Sequence, residues 1–331
     1  MAKPSKRKIH IIFTGGTISM RIDAQMHGAV PALSGGEILA MIPDLDHKSE
    51  LIIHDFGKYP GPHITPALML KLTRLVKRVL ADRDAAGAVI THGTDTLEET
   101  AYFLDLMIKT DKPIVFTGSM KSSDEIGWDG LPNLVDAVAV ASSQRAAGLG
   151  ALIVMNSEIN AASEATKSHT DQMGTFQSLD FGCLGIVDAR KVYLYRRPEH
   201  RDYIGSAGIE PRVELIKCYA GITGEVVDFF SKRGVKGLVI EAMGRGNVPP
   251  AMFGAVQRAA EKIPVVIVSR CPRGRPLDTY AYPGGGKDLR KAGVIFGDHL
   301  NGQKAVIKLM IALGKTPDRK KIKRLFEHDR Y

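Results

Sequence analysis

Cysteine is scarce in this chain of 331 residues. Its three cysteines, Cys183, Cys218 and Cys271, lie far apart, and their odd number and wide spacing fit neither a disulfide framework nor a cysteine-based metal site. Thiols of this kind are typical of a reducing compartment. We therefore expect them to be reduced and mostly buried.

Long apolar runs are also missing from the sequence. No stretch approaches the roughly 20 apolar residues that a membrane-spanning helix needs. The first apolar run, residues 9–13, is too short for the core of a signal peptide. Together with the cysteines, these absences predict a soluble, cytoplasmic protein with no membrane partner.

Aromatic residues make up only 6% of the chain, although its net charge is +9. Most of that charge lies at the two ends: residues 3–8 contribute +4 and residues 315–331 contribute +4, which leaves +1 for the body. A surface that binds nucleic acid usually lines a groove with cations and places aromatic side chains between them. The sequence therefore argues against a nucleic-acid partner.

Several sequence motifs of common enzyme classes are absent. The chain has no HExxH or Cys-His metal spacing, no GxSxG turn, no GK[ST] phosphate loop and no GxGxxG after the first apolar run. The glycines at residues 284–286 follow an aromatic segment and are more typical of a turn than of a phosphate cradle. We therefore expect neither a metal nor a cofactor.

Apolar runs alternate with helical patterns along the chain, which is typical of a parallel sheet covered by helices. The predicted strands are residues 9–13, 51–54, 88–91, 114–117, 151–155, 213–216, 237–241 and 265–269, and the predicted helices of the first half are residues 65–80, 97–108 and 131–145. The pattern lapses in the Arg-, Gly- and Pro-rich residues 196–211. The sequence predicts a larger N-terminal α/β domain, doubly wound with a mostly parallel sheet (residues 1–195), a linker (196–211) and a smaller C-terminal α/β domain (212–331).

Two threonine-rich turns follow two of the predicted strands. One is TGGT at residues 14–17 and the other is THGTDT at residues 91–96. In open α/β sheets, ligands bind where such strands end. A structural alternative is that Asp95 only caps the next helix, or that Thr96 and Glu99 form its capping box. The segment at residues 21–36, directly after the first turn, is predicted to be a loop: either a mobile lid or an ordinary surface loop.

A threonine hydroxyl is a weak nucleophile and needs a positioned base. A neutral lysine can be that base, and Lys167 follows a predicted strand on what should be the same edge of the sheet. The alternative for Lys167 is a solvated lysine on a loop.

The two turns and their surroundings resemble a known family. TGGTI at residues 14–18 and ITHGTDTLEETA at residues 90–101 are similar to the two signature segments of the bacterial-type L-asparaginase family, whose members hydrolyse asparagine and, variably, glutamine. The similarity extends over nearly the whole chain. Further matching segments are TGSM at 117–120, DG at 129–130, NL at 133–134, MN at 155–156, TK at 166–167 and GN at 246–247.

This resemblance implies a catalytic role for four residues. Thr17 is the implied nucleophile, which forms an acyl-enzyme that water then cleaves to aspartate. The implied catalytic group beside it consists of Thr94, Asp95 and Lys167. The implied substrate-binding residues are Gly61, Pro62, Thr94, Asp95, Ser119 and Asn247. Because family sites borrow residues across subunits, with Asn247 as the lender, a homodimer or homotetramer is expected.

Two positions depart from the family pattern. Ala29 stands where the family usually has a loop tyrosine, and Gly61 stands where it usually has a serine that contacts the substrate carboxylate. We hypothesise that Tyr59, Tyr280 or Tyr282 supplies the missing phenol. Two other functions stay open: the glutaminase subunit of a tRNA-dependent amidotransferase, and a non-catalytic amino-acid sensor with the same fold. The preference between asparagine and glutamine is also open.

Overall fold

The computed structural model describes residues 7–42, 49–198 and 201–327. Of the residues discussed above, Lys3 and Lys6 in the basic N-terminal end, residues 199–200 in the predicted linker, and residues 328–331 in the basic C-terminal end lie outside the described residues. The chain divides into two compact units, Met1–Tyr203 and Ile204–Tyr331. Each unit is described by itself.

The first unit is built on a large sheet of eight strands. In chain order, the strands of this unit are β1 (Arg7–Gly15), β2 (Met20–Asp23), β3 (Gly28–Pro31), β4 (Ser49–Tyr59), β5 (Ala85–Thr91), β6 (Ile114–Thr117), β7 (Ala151–Met155), β8 (Glu158–Ala161), β9 (Thr166–Lys167), β10 (Phe176–Gln177), β11 (Gly185–Asp188) and β12 (Lys191–Leu194). Its helices are α1 (Gly35–Ala40), α2 (Pro66–Leu80), α3 (Leu97–Met107) and α4 (Gly130–Ser142).

The strand order in the large sheet is β12-β11-β8-β7-β6-β5-β1-β4. The five strands from β7 to β4 are parallel, and the three at the other edge are antiparallel. Strands β5, β6 and β7 are buried along their whole length, which explains their near-continuous apolar sequences. Because β1 lies between β4 and β5 and all three are parallel, the turns that follow them come together at the edge of the sheet formed by the carboxyl ends of the strands.

Helices cover both faces of this sheet. Ile9 and Ile11 of β1 pack with Leu134 and Val138 of α4 in one apolar cluster. Helices α2 and α3 contact β5, β6 and β7 and contribute no residue to that cluster. The start of α2 follows from its sequence, since Thr65 accepts a hydrogen bond from Leu68 N at 3.3 Å and a proline occupies the first turn. The predicted doubly wound, mostly parallel fold is confirmed.

Residues 21–36 form regular structure where the sequence predicted a loop. Strands β2 and β3 pair as an antiparallel hairpin, from Met20 opposite Pro31 to Asp23 opposite Gly28, and α1 follows. The hairpin turn is stabilised by Asp23 Oδ1, which accepts hydrogen bonds at 2.8 Å from the backbone N–H groups of residues 25 and 26. The short alternating strands and this aspartate turn are too brief to stand out in a glycine- and alanine-rich segment.

The second unit contains a smaller, four-stranded parallel sheet in the order β13-β14-β15-β16. Its strands are β13 (Val213–Lys217), β14 (Gly237–Ala242), β15 (Val265–Ser269) and β16 (Ile295–Phe296), and its helices are α5 (Glu225–Lys232), α6 (Pro250–Lys262), α7 (Gly286–Lys291), α8 (Gly302–Lys315) and α9 (Arg319–Phe326). The predicted smaller α/β domain is confirmed as a fold.

The three cysteines are free thiols, but only Cys218 is buried. Cys183 is half-buried and Cys271 is exposed, so the expectation that they are mostly buried is wrong. Cys271 lies two residues after the end of the buried strand β15, which explains its exposure. Within the described ranges, no helix is long and apolar enough to cross a membrane.

Candidate active site

The turns after β1, β4 and β5 meet at one edge of the large sheet. Phe13 pairs with Thr91 across β1 and β5, and Gly15 pairs with Tyr59 across β1 and β4. The buried hydroxyl of Thr14 donates a hydrogen bond to the carbonyl of Thr91 at 2.7 Å. This bond fastens the two threonine-rich turns to each other at their first residues.

Two glycines shape the first turn. Gly15 and Gly16 have φ values of 107° and 83°, in the left-handed region that favours glycine. A Cβ on Gly16 would lie 2.4 Å from Gly93 N, so the turn after β1 packs directly on the turn after β5. Thr17 follows at the start of a 3₁₀ turn (Thr17–Ser19) and is half-buried.

Thr94, Asp95 and Lys167 form one hydrogen-bonded group. The Lys167 ammonium donates to Thr94 Oγ1 at 3.0 Å and forms an ion pair with Asp95 Oδ1 at 2.7 Å. Thr94 is buried, while the Asp95 side chain is 57% exposed and that of Lys167 is 19% exposed. This geometry disfavours both structural alternatives. Lys167 is largely buried rather than a solvated loop lysine, and Asp95 pairs with the lysine rather than only capping the start of α3.

The predicted capping box of α3 is wrong. Thr96 occupies the N-cap position, but its side chain makes no capping hydrogen bond. Its hydroxyl donates instead to the carbonyl of Gly61 at 2.7 Å. Thr96 therefore attaches the turn after β5 to the turn after β4, a tertiary contact that outweighs the local pattern.

Gly61 and Pro62 lie beside Asp95. Gly61 begins a 3₁₀ turn (Gly61–His63) and is buried, whereas Pro62 is exposed. A Cβ on Gly61 would approach Asp95 Cβ to 3.2 Å, and a Cβ on Gly93 would approach Gly61 N to 2.6 Å. The two backbones are in direct contact, so any side chain at residue 61 presses on Asp95.

Ser119 turns its side chain into the protein. It is fully buried, and its hydroxyl lies 2.6 Å from Asp129 Oδ1. The same buried carboxylate accepts hydrogen bonds from the backbone N–H groups of Met120 and Lys121 and from Asn133 Nδ2. Ser119 and Asp129 thus order the turn after β6, where the carboxylate engages the Ser119 hydroxyl.

Two buried residues of the site were not predicted from the sequence. His92 is fully buried, and burial lowers its pKa to about 4. Its Nδ1 lies 2.8 Å from the Gly93 carbonyl, which only accepts, so the neutral ring carries its proton on Nδ1. Glu98, in the first turn of α3, accepts a hydrogen bond from the backbone N of Lys167 at 2.6 Å. An acidic residue in a first helical turn was the available signal for Glu98.

Four sequence candidates remain: Tyr59, Asn247, Tyr280 and Tyr282. Asn247 lies in the second unit, in a turn after β14 where Met243 and Asn247 exchange backbone hydrogen bonds of 2.9 and 3.0 Å. Tyr280 and Tyr282 lie in the same unit, exposed, with ring centroids 5.5 Å apart. In the first unit, Tyr59 borders Gly15, and a Cβ on Gly57 would lie 2.2 Å from the Tyr59 ring.

Comparisons with known proteins agree with this architecture. Residues 8–200 match the family model "Asparaginase, N-terminal", and residues 212–326 match "Glutaminase/Asparaginase C-terminal domain". The fold and the threonine-lined edge therefore define the class: an amidohydrolase of asparaginase type. The chain belongs to the L-asparaginase family.

Individual relatives span most of the chain. It is 37% identical to the L-asparaginase of Bacillus licheniformis over 308 residues, which cover 93% of this chain and 95% of that protein. It is 32% identical to a glutamyl-tRNA(Gln) amidotransferase subunit of Methanobrevibacter smithii, over 95% of this chain and 74% of that protein. The crystal structure of a probable cytoplasmic L-asparaginase from Campylobacter jejuni superposes with a TM-score of 0.87 at 30% identity, over 97% of this chain and 99% of that one.

Proposed function

We propose that this protein hydrolyses L-asparagine to L-aspartate and ammonia through a threonine nucleophile. The observation that carries the proposal is the Lys167 ammonium nitrogen at 3.0 Å from the Thr94 hydroxyl and 2.7 Å from the Asp95 carboxylate, beside the turn that holds Thr17. A hydroxyl next to an amine and a carboxylate is the combination that amide hydrolysis through a hydroxyl nucleophile requires.

In the proposed reaction, Thr17 attacks the carboxamide carbon of the substrate. Lys167, in its neutral form, accepts the proton through Thr94. Backbone N–H groups at the start of α3 stabilise the tetrahedral oxyanion, an interaction worth about 3 kcal/mol per donor in comparable sites. The C–N bond then breaks, ammonia leaves with a returned proton, and water cleaves the Thr17 ester to release aspartate.

Substrate recognition in this proposal centres on Asp95. Its carboxylate is more than half exposed, so it can bind the substrate ammonium while it stays paired with Lys167. Because Gly61 has no hydroxyl, the backbone N–H of Gly61 or the exposed side chain of His63 takes the place of a serine for the substrate carboxylate. Pro62, the backbone at Ser119 and, from a neighbouring subunit, Asn247 complete the proposed binding site.

We also propose a homodimer or homotetramer in the cytoplasm, with Asn247 lent to a neighbouring subunit. The support is the resemblance to the family, and the Campylobacter jejuni protein is described as cytoplasmic. Sedimentation of the purified chain tests the assembly, and a monomer with full activity would contradict it.

The test of function is ammonia release from L-asparagine, L-glutamine and D-asparagine by the purified protein. We expect turnover of L-asparagine, and a loss of about 10²-fold or more in kcat for Lys167→Met, with the fold checked by circular dichroism. If L-asparagine raises Tm but no amide is hydrolysed, the protein is a binding sensor and the proposal is wrong.

The second candidate function is the glutaminase subunit of a tRNA-dependent amidotransferase. The observation in its favour is the 32% identity to the Methanobrevibacter smithii protein over 95% of this chain. Under this alternative, the isolated chain would turn over amides only with a partner subunit and tRNA. Steady turnover of free L-asparagine by the chain alone would exclude it.

A further inference from the structure

We propose that Glu98 is a positioning residue that places the Lys167 amine against Thr94. The inference rests on the proposed function, because it concerns how the base is held. Glu98 itself touches neither the scissile amide nor the attacking hydroxyl in this proposal; it acts through Lys167.

The backbone around Lys167 is not part of the large sheet. Lys167 lies on β9, a strand of two residues that, among the described strands, pairs only with β10 in a separate two-stranded sheet, where it is opposite Phe176. So short a strand fixes its residues weakly, since few ladder hydrogen bonds hold it. The next two residues, Ser168 and His169, bond Thr175, and an attachment at the Lys167 backbone itself adds to these contacts.

Glu98 supplies that attachment. Its side chain is only 2% exposed, and Oε2 accepts the backbone N–H of Lys167 at 2.6 Å. Hydrogen bonds from an N–H group to a carboxylate are about twice as strong as those between neutral groups. The carboxylate also lies in the first turn of α3, where the helix dipole favours a negative charge.

Both partners of the amine, Thr94 and Asp95, lie in the turn that leads into the same helix. Helix α3 begins at Leu97, directly after Thr94, Asp95 and Thr96. One rigid turn therefore sets the position of the Thr94 hydroxyl through the chain and that of the Lys167 backbone through the Glu98 side chain. The 3.0 Å separation between Lys167 Nζ and Thr94 Oγ1 depends on the length and acceptor character of Glu98.

Three variants of the full-length protein test this inference. Glu98→Gln keeps an acceptor oxygen at the same reach and should keep most of the turnover of L-asparagine. Glu98→Met has a similar length but no acceptor of comparable strength, and we expect kcat to fall by about 10²-fold with KM nearly unchanged, as for a misplaced catalytic group. The matched control is Asp105→Asn at the far end of α3, another buried carboxylate that accepts a backbone N–H, from Ala151 at 2.9 Å.

The control should lose stability and keep kcat. A loss of kcat in Asp105→Asn equal to that in Glu98→Met would overturn the inference, because the effect would then be general to α3. A folded Glu98→Met variant with wild-type kcat would also overturn it. If Glu98→Met does not fold, Glu98→Asp, which shortens the arm by one methylene, replaces it: a lower kcat supports the inference and an unchanged kcat contradicts it.

A double variant separates positioning from general support of the fold. In the Lys167→Met background, the residual turnover should not fall further when Glu98→Met is added, because the group that Glu98 positions is already gone. An additional loss of the full single-variant factor would overturn the inference. Failure of the proposed function is distinct, since it would be seen as absent turnover in the wild-type protein.

Discussion

The two threonine turns at the edge of the large sheet are built in different ways. Thr17 follows two glycines in left-handed conformations, and the turn is held by backbone packing on Gly93. Thr94 is held by side chains, since its hydroxyl bonds Lys167, which is fastened in turn by Asp95 and Glu98. The placement of Thr17 is therefore sensitive to an added Cβ at Gly15 or Gly16, whereas that of Thr94 is sensitive to the loss of a functional group.

Removal of the Thr17 or the Thr94 hydroxyl should have the largest effect on activity. Thr17→Val and Thr94→Val should each lower kcat by about 10²-fold or more, since one removes the proposed nucleophile and the other the link to its base. Mass spectrometry of quenched reactions should find the acyl group on Thr17 in the wild-type protein. An acyl group on Thr94 would reverse the roles. The control is Thr73→Val on α2, which removes a buried hydroxyl bonded to Met69 O.

A methyl group on the first turn should act through the backbone. Gly16→Ala combines a left-handed φ of 83° with a Cβ 2.4 Å from Gly93 N, and we expect a loss of about 2–4 kcal/mol in the free energy of unfolding. Gly36→Ala is the control, because it lies in α1 with nothing within 4 Å of its Cβ. Urea denaturation measures both, and equal stability of the two variants would refute the packing argument.

The second turn should respond to pH because it contains buried His92. Burial lowers the pKa of His92 from 6.5 to about 4, so between these values the unfolded chain binds more protons than the folded one. Stability should therefore fall as pH falls through this window, by about 2 kcal/mol between pH 7 and pH 5 from this residue. Burial and the neighbouring ring also lower the pKa of His10, whose Nδ1 lies 2.9 Å from His54 Nε2, and the effect has the same sign.

Substitution of His92 isolates its share of this pH dependence. His92→Asn retains a donor for the Gly93 carbonyl but does not titrate, so its unfolding free energy should vary less between pH 7 and pH 5 than that of the wild type. If the His92 variant keeps the full wild-type slope, other groups account for the pH dependence.

The smallest effect is expected from the residue that replaces the missing tyrosine hydroxyl at the position of Ala29. Ala29 is exposed on β3 and offers no hydroxyl, whereas the Tyr59 backbone borders Gly15 and Gly16. If Tyr59 supports the nucleophile, Tyr59→Phe should lower kcat by less than about tenfold, the value of one lost hydrogen bond. Tyr193→Phe on exposed β12 is the control. Unchanged turnover in Tyr59→Phe would remove Tyr59 from the site and leave Tyr280 and Tyr282 to be tested.

Buried strands were the most predictable part of this fold. The predicted strands at residues 114–117 and 151–155 coincide with β6 and β7, because a fully buried strand has a continuous apolar sequence that ends sharply at a turn. The hairpin of β2 and β3 was missed because it is half-exposed and short. The cap of α3 was mispredicted because Thr96 bonds Gly61, a residue 35 positions away.

The residues of the candidate site could be predicted only where they belong to a recognisable sequence motif. Lys167 lies 73 positions from Thr94, so neither spacing nor periodicity could bring them together, and their pairing followed from the resemblance to a family. The buried carboxylates Glu98 and Asp129 lie within the matching segments, but no motif indicates which groups they bind. Glu98 and Asp129 accept hydrogen bonds from backbone N–H groups. Every residue except proline has such a group, so only the folded structure shows which N–H each carboxylate binds.

Strand β4 is an edge strand of the large sheet, which affects whether folded chains associate with one another. Among the described strands, β4 pairs only with β1, so one side of an eleven-residue strand carries backbone groups that could template another chain. Glu50, Asp55 and Lys58 are exposed along it. Charges spaced in this way oppose the pairing of this edge with the edge strand of another folded chain.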